Sequence, residues 1–178
     1  MDLANASMYD GATALAEAVL LLAHDSGRHR VLVPATLHPR YRAVLDTYAS
    51  DMALDIVTLP AAADGRLDLG QVPAACDGVA GVLVLQQPNF FGQVEDAVAL
   101  RRALDAVPAE RRPELVVVTA DPVSLGVLVP PGEYGAALAV GDGQAFGIAP
   151  SFGGPVVGFV ACTKEHVRKI PGRLVGAT

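Results

Sequence analysis

The sequence predicts an α/β fold, a three-layer sandwich in which helices cover both faces of a mostly parallel sheet. Three observations carry this. Short Val- and Leu-rich runs alternate with longer Ala/Leu-rich segments through residue 110, the rhythm of strand-helix-strand crossovers. The strand-like runs are almost continuously apolar, as strands buried on both sides must be, and the hydrophobic share reaches 52%. The length, 178 residues, suits one domain with a substantial core, and no linker, repeat or low-complexity tract interrupts it.

The elements follow in order. Residues 12–25 hold helix formers, with Asp10 available to cap the first turn and Gly27 to close the last. Arg30 to Pro34 reads as a strand. His38-Pro39 then opens a second helix to about Asp51, because proline suits a first helical turn. Leu54 to Leu59 is the next strand, and a polar loop surrounds Asp64-Gly65. Gly81 to Gln86 is the third strand, Gln87 to Gly92 a turn, and Gln93 to Ala106 a helix with Val94, Val98 and Leu104 facing the core. Pro113 ends a polar spacer. Leu115 to Thr119, Ala137 to Val140 and Val156 to Cys162 complete six strands, and residues 163–170 read as a helix.

Charge and composition exclude several functions. A net charge of -6, with arginines interspersed among acids, offers no footprint for nucleic acid. The longest apolar run, Leu15 to Ala23, contains Glu17 and falls well short of the roughly 20 residues of a membrane span, and no basic leader precedes it. Two cysteines, Cys76 and Cys162, make no disulfide framework and no metal-ligand spacing, which points to the cytoplasm. His24, His29 and His166 form no ligand pair, no Ser or Cys sits in a nucleophile elbow, and Glu95 and Asp96 read as the first turn of a helix. No metal is expected.

Ligands of open parallel sheets meet the carboxyl ends of the strands, so residues that follow strands or open helices are the candidates. Gly11-Ala12-Thr13 at a helix start either offer donors to a phosphate or are ordinary capping. His38 either stacks on a flat heterocycle or simply opens its helix. Asn89 either presents an amide to a ring oxygen or shapes a turn. Asp121 either holds a protonated ring nitrogen or opens an Asp-Pro turn. This is the layout of a pyridoxal-phosphate site, but Gln144, after the next strand, sits where that chemistry needs a lysine. The only lysines, Lys164 and Lys169, come after the last of the predicted strands. Gly141-x-Gly143-x-x-x-Gly147 is not a dinucleotide fingerprint, since its third glycine is displaced and Pro150, Gly153, Gly154 and Pro155 prevent the required helix.

Several blocks in order give the chain a family. Asn5-Ala6-Ser7-Met8-Tyr9-Asp10-Gly11-Ala12-Thr13-Ala14, His38-Pro39, Gln87-Pro88-Asn89-Phe90-Phe91-Gly92 with Glu95-Asp96, Pro131-Gly132-Glu133, Phe152-Gly153-Gly154-Pro155 and Pro171-Gly172-Arg173-Leu174-Val175-Gly176 resemble glycine dehydrogenase (decarboxylating), the P-protein of the glycine cleavage system. The match is to the first, or alpha, subunit of the two-subunit form. The resemblance implies the type I pyridoxal-phosphate-dependent transferase fold, aspartate-aminotransferase-like, with residues 1–178 a fragment of its large domain lacking an N-terminal extension and the small C-terminal domain. It further implies that the cofactor lysine belongs to the beta subunit. Gly11, Ala12, Thr13, His38, Asn89, Asp121 and Gln144 are then a vestigial pseudo-site, with no catalytic residue and no cofactor on this chain alone.

The family reaction decarboxylates glycine and passes its aminomethyl group to the lipoyl arm of the H-protein. The implied partners are therefore the beta subunit and the H-protein, in a heterotetramer. A fragment with uncovered apolar surface is also expected to self-associate. Two other readings stay open on the residues alone: an autonomous pyridoxal-phosphate enzyme of the same fold, and a scaffolding module unrelated to glycine.

Overall fold

The computed structural model describes residues 1–6 and 8–174; Ser7, Val175 and Gly176 of the sequence blocks lie outside the described residues. Among the described residues, eight strands form one sheet: β1 (Leu3–Ala6), β2 (Arg30–Pro34), β3 (Asp55–Leu59), β4 (Ala80–Gln87), β5 (Glu114–Thr119), β6 (Leu138–Asp142), β7 (Gly158–Cys162) and β8 (Arg173–Leu174). Their order is β3-β2-β4-β5-β6-β7-β1-β8. The first five in that order run parallel, and β7, β1 and β8 continue the sheet with alternating direction.

Period-two alternation splits the central strands between two cores. Val82 and Val84 of β4, with Val116 and Val118 of β5, pack against one layer formed by α1 (Gly11–Ser26) and α2 (Pro39–Ala49). Leu83, Leu85, Leu115 and Val117 point the other way, towards α3 (Val72–Ala75) and α4 (Ala97–Asp105). Both faces are covered, which is why these runs carry no polar alternation.

The helix boundaries have local causes. Asp10 caps α1 by accepting the Thr13 N–H at 2.7 Å, while its own N–H donates to the Thr13 hydroxyl at 3.2 Å. Gly27 ends the helix at φ 65, a left-handed conformation that glycine adopts without steric cost. His38 caps α2 and Pro39 begins it.

Four expectations need correction. The helix placed at Gln93 begins at Ala97, with Asp96 as its N-cap. Its buried face is Ala97, Leu100 and Leu104, and Val94 and Val98 are exposed, because Glu95 turns inward before the helix starts. Residues 163–170 form only a 3-10 turn, Lys164–His166, followed by further turns; the stretch is too short before Pro171 to repay helix nucleation. The strand expected at Val156 starts at Gly158 and runs antiparallel to β6. Finally, β1, β8 and α3 were not expected, being two to four residues long. Asn5 holds β1 in place: its amide donates to the Pro171 carbonyl and accepts from the Val160 N–H, both at 2.7 Å.

Candidate functional site

The carboxyl edge of the parallel strands gathers the N-terminus of α1 and the segments that follow β2, β4, β5 and β6. Gly11 lies directly on the end of β6. A β-carbon there would meet the Tyr41 hydroxyl at 2.2 Å, the Gly141 carbonyl carbon at 3.0 Å and the Asp142 nitrogen at 3.1 Å. Thr13 is occupied locally, since its hydroxyl also donates to the Asp10 carboxylate at 2.9 Å.

Tyr41, absent from the sequence-based candidates, sits in the middle of this arrangement. Burial, together with the carboxylates of Asp142 and Asp10, pushes its phenol up from 10.0 to about 12. His38 is beside it, ring centroids 5.7 Å apart, and meets Phe90 edge-on at 4.9 Å. The His38 Nδ1 accepts the Arg40 N–H at 3.1 Å, and its backbone N–H donates to buried Gln86 at 2.8 Å. His38 therefore opens its helix and also belongs to an aromatic cluster.

Asn89 lies deeper. Its amide donates to the Gly65 carbonyl and to Glu95, both at 2.8 Å, and accepts from the N–H groups of Phe91 and Gln93. All its ordinary capacity is used by these contacts. Glu95 is the hub of that loop: buried, it also accepts the Leu67 N–H at 3.0 Å and the Thr36 hydroxyl at 3.2 Å. Gln87 clasps the Glu95 backbone from both sides, at 2.8 and 3.0 Å. A lone Glu-Asp pair before an amphipathic helix gives no hint that one of the two turns inward.

Asp121 is exposed after β5 and caps the 3-10 turn Pro122–Gly126, accepting the Val123 N–H at 2.9 Å. That turn packs on the Gln144–Phe146 turn, so Asp121 and Gln144 stand on neighbouring loops. The Gln144 backbone N–H donates to Asp142 at 2.9 Å. Gly11, Tyr41, Asp142 and His38 thus form one group, with Asp121 and Gln144 on adjoining turns and Asn89 turned into the Glu95 network.

The residues present do not fit a covalently held pyridoxal phosphate. Cys162 pairs with Leu138 and Gly158 with Asp142, so Lys164, just beyond Cys162, lies at the opposite edge of the sheet from Gln144. Lys169 is ion-paired with Asp25, near the far end of α1 and about 21 Å along the helix from Gly11. Neither amine reaches the carboxyl edge.

This sheet, with its candidate residues along one edge, is the fold of type I pyridoxal-phosphate-dependent enzymes. It matches a sphingosine-1-phosphate lyase of Burkholderia pseudomallei (TM-score 0.70, 19% identity, 93% of this chain and 40% of that one). It also matches a cysteine desulfurase of Thermococcus onnurineus (TM-score 0.68, 16% identity, 98% and 41%). At such identities the likeness concerns the fold alone. Residues 1–178 match the family model of the glycine cleavage system P-protein, and the chain belongs to that family.

A probable glycine dehydrogenase (decarboxylating) subunit 1 from Lysinibacillus sphaericus is 48% identical over 178 residues, all of this chain and 38% of that protein. Its counterpart from Desulfitobacterium hafniense is 47% identical, with 39% covered. A crystal structure of glycine decarboxylase (P-protein) in inhibitor-bound form superposes with TM-score 0.88 at 48% identity, over 100% of this chain and 38% of that one. The chain thus spans about two fifths of the length of these curated relatives.

Proposed function

We propose that this chain is part of the first subunit of a glycine dehydrogenase (decarboxylating), forms large-domain structure there, and serves the enzyme without holding its cofactor. The observation that carries this reading is the placement of amines: Gln144 stands at the carboxyl edge and both lysines lie at the other. An amide nitrogen cannot form the imine that tethers pyridoxal phosphate. In this reading the partner beta subunit supplies the cofactor, and with it the covalent steps that release carbon dioxide from glycine and load the aminomethyl group onto the lipoyl arm of the H-protein.

This chain completes the heterodimer, walls the mouth of the partner's site and helps to dock the H-protein. Those roles call for complementary surface rather than a nucleophile. Exposed Phe90, Phe91 and Phe146 beside the carboxyl edge support such a role, since aromatic side chains left bare in one region mark contact surface. Gly11, Ala12, Thr13, His38, Asn89, Asp121 and Gln144 act as scaffold in a pseudo-site. A heterotetramer in the cytoplasm is the setting, in keeping with two buried free thiols, Cys76 and Cys162.

The test is co-expression with a beta-type subunit, followed by purification and a glycine-bicarbonate exchange assay with H-protein. Association and activity are expected only with both chains. Treatment of this chain alone with pyridoxal phosphate and borohydride should leave no site-specific adduct. A stoichiometric adduct on one of its lysines, with exchange activity from the chain by itself, would overturn the reading.

A further inference from the structure

A helix N-terminus at the carboxyl edge of a parallel sheet ordinarily welcomes an anion, because unpaired N–H groups and the helix dipole converge there. We infer that in this chain the α1 N-terminus is sealed against phosphate-bearing ligands: Asp10 holds the Thr13 N–H, and Tyr41 with the Asp142 end of β6 fills the space above Gly11. This rests on the reading that the cofactor stays with the partner subunit, and it adds that restoring an amine at Gln144 would not by itself rebuild a cofactor site.

Three features argue for closure. First, the room that a glycine leaves at a helix start is taken up from within, since the Tyr41 hydroxyl would lie 2.2 Å from a Gly11 β-carbon. Second, the hydroxyl best placed for a phosphate is engaged, with Thr13 Oγ1 at 2.9 Å from the Asp10 carboxylate and 3.1 Å from the Asp10 carbonyl. Third, the local charge has the wrong sign. Asp142 and Asp10 both raise the Tyr41 phenol, so their negative charge is felt where a phosphate would sit. A dianion brought there meets repulsion from both carboxylates.

The test compares pyridoxal phosphate with pyridoxal, which differ only in the phosphate, by equilibrium dialysis against the whole chain, with inorganic phosphate as competitor. The two should bind within about twofold of each other, and inorganic phosphate should displace neither. Retention of the phosphate form more than about tenfold tighter, reversed by inorganic phosphate, overturns the inference.

A second arm uses the Asp10→Gly/Tyr41→Phe variant, which frees the Thr13 N–H, removes one carboxylate and withdraws the hydroxyl that lies nearest Gly11, glycine being a tolerated N-cap. It is expected to acquire a phosphate-dependent preference of about tenfold. A variant with unchanged circular dichroism and no such preference counts against the assigned roles of Asp10 and Tyr41. Borohydride trapping on a lysine addresses the subunit assignment and leaves the phosphate comparison untouched, so the two readings fail separately.

Discussion

The Tyr41 hydroxyl is seated against the α-carbon of Gly11, joining the start of α1 to the first turn of α2 across the end of β6. No side chain larger than hydrogen fits at residue 11 without moving that phenol or the β6 backbone. Gly11→Ala should therefore destabilise the fold by about 1–3 kcal/mol, the ordinary cost of overpacking a filled site. In a Tyr41→Phe background the cost should shrink but persist, because Gly141 and Asp142 backbone atoms still lie 3.0–3.1 Å from the added carbon. Urea denaturation of the four proteins measures this coupling, and an identical Gly11→Ala cost in both backgrounds would show that the phenol is not the obstacle.

Glu95 ties three segments together: the Leu67 strand-like bridge, the Asn89 loop after β4 and the Thr36 loop after β2. Glu95→Ala would leave the Leu67 N–H and one Asn89 amide hydrogen buried without partners. Each such orphan costs about 1–3 kcal/mol, so a loss of several kcal/mol is expected. Glu95→Gln should lose less, since one acceptor oxygen remains. Comparable stabilities of Glu95→Ala and the parent in denaturant titrations would contradict the network.

The sheet was legible because its signal is periodic and summed over many residues. The expected strand Arg30 to Pro34 has the bounds the structure shows, β4 is one residue longer at each end than expected, and β5 is one residue longer at its start. The antiparallel margin was not legible: β1 and β8 are short, and β1 depends on Asn5 contacts with Val160 and Pro171, more than 150 positions away. Candidates such as His38 and Asp121 could be named where residue type and location after a strand coincide, and the structure gives both a capping contact. Tyr41 and Asp142 escaped because their significance comes from the meeting of α1, α2 and β6, which spacing along the chain does not encode.

The pH dependence of Tyr41 has a definite sign. Its folded-state value is raised from 10.0 to about 12, so the folded form holds the proton more tightly than the unfolded chain does. The associated stability is present below pH 10.0 and is lost as pH climbs towards about 12. Tyr134, also pushed upward by burial, behaves in the same direction. Tyr41→Phe should therefore flatten the alkaline fall in stability across that window without abolishing it. Unfolding midpoints measured against pH for the parent and Tyr41→Phe give the comparison, and parallel curves would reject the assignment.

The register of α4 offers a sharper test of packing. Leu104 is fully buried between α4 and the sheet, whereas Val98 is 50% exposed on the same helix. Leu104→Ala should cost about 2–5 kcal/mol, as truncations in filled cores do. Val98→Ala should change stability by no more than about 0.5 kcal/mol. Similar losses at both positions would favour the register expected from the sequence, in which the helix begins at Gln93 and buries Val98.

The chain has only two lysines, so a lysine-free version requires two substitutions. Arginine keeps the charge at both sites and can still pair with Asp25, which presently holds Lys169. If no imine forms on this polypeptide, Lys164→Arg/Lys169→Arg should fold as the parent does, bind a beta-type subunit, and support glycine-bicarbonate exchange at an unchanged rate. The cofactor absorbance of the reconstituted enzyme should also be unchanged, because it would originate entirely from the partner. Loss of that absorbance in a complex that still assembles would place an essential amine on this chain. The opposite-edge positions of Lys164 and Lys169 predict that this loss does not occur.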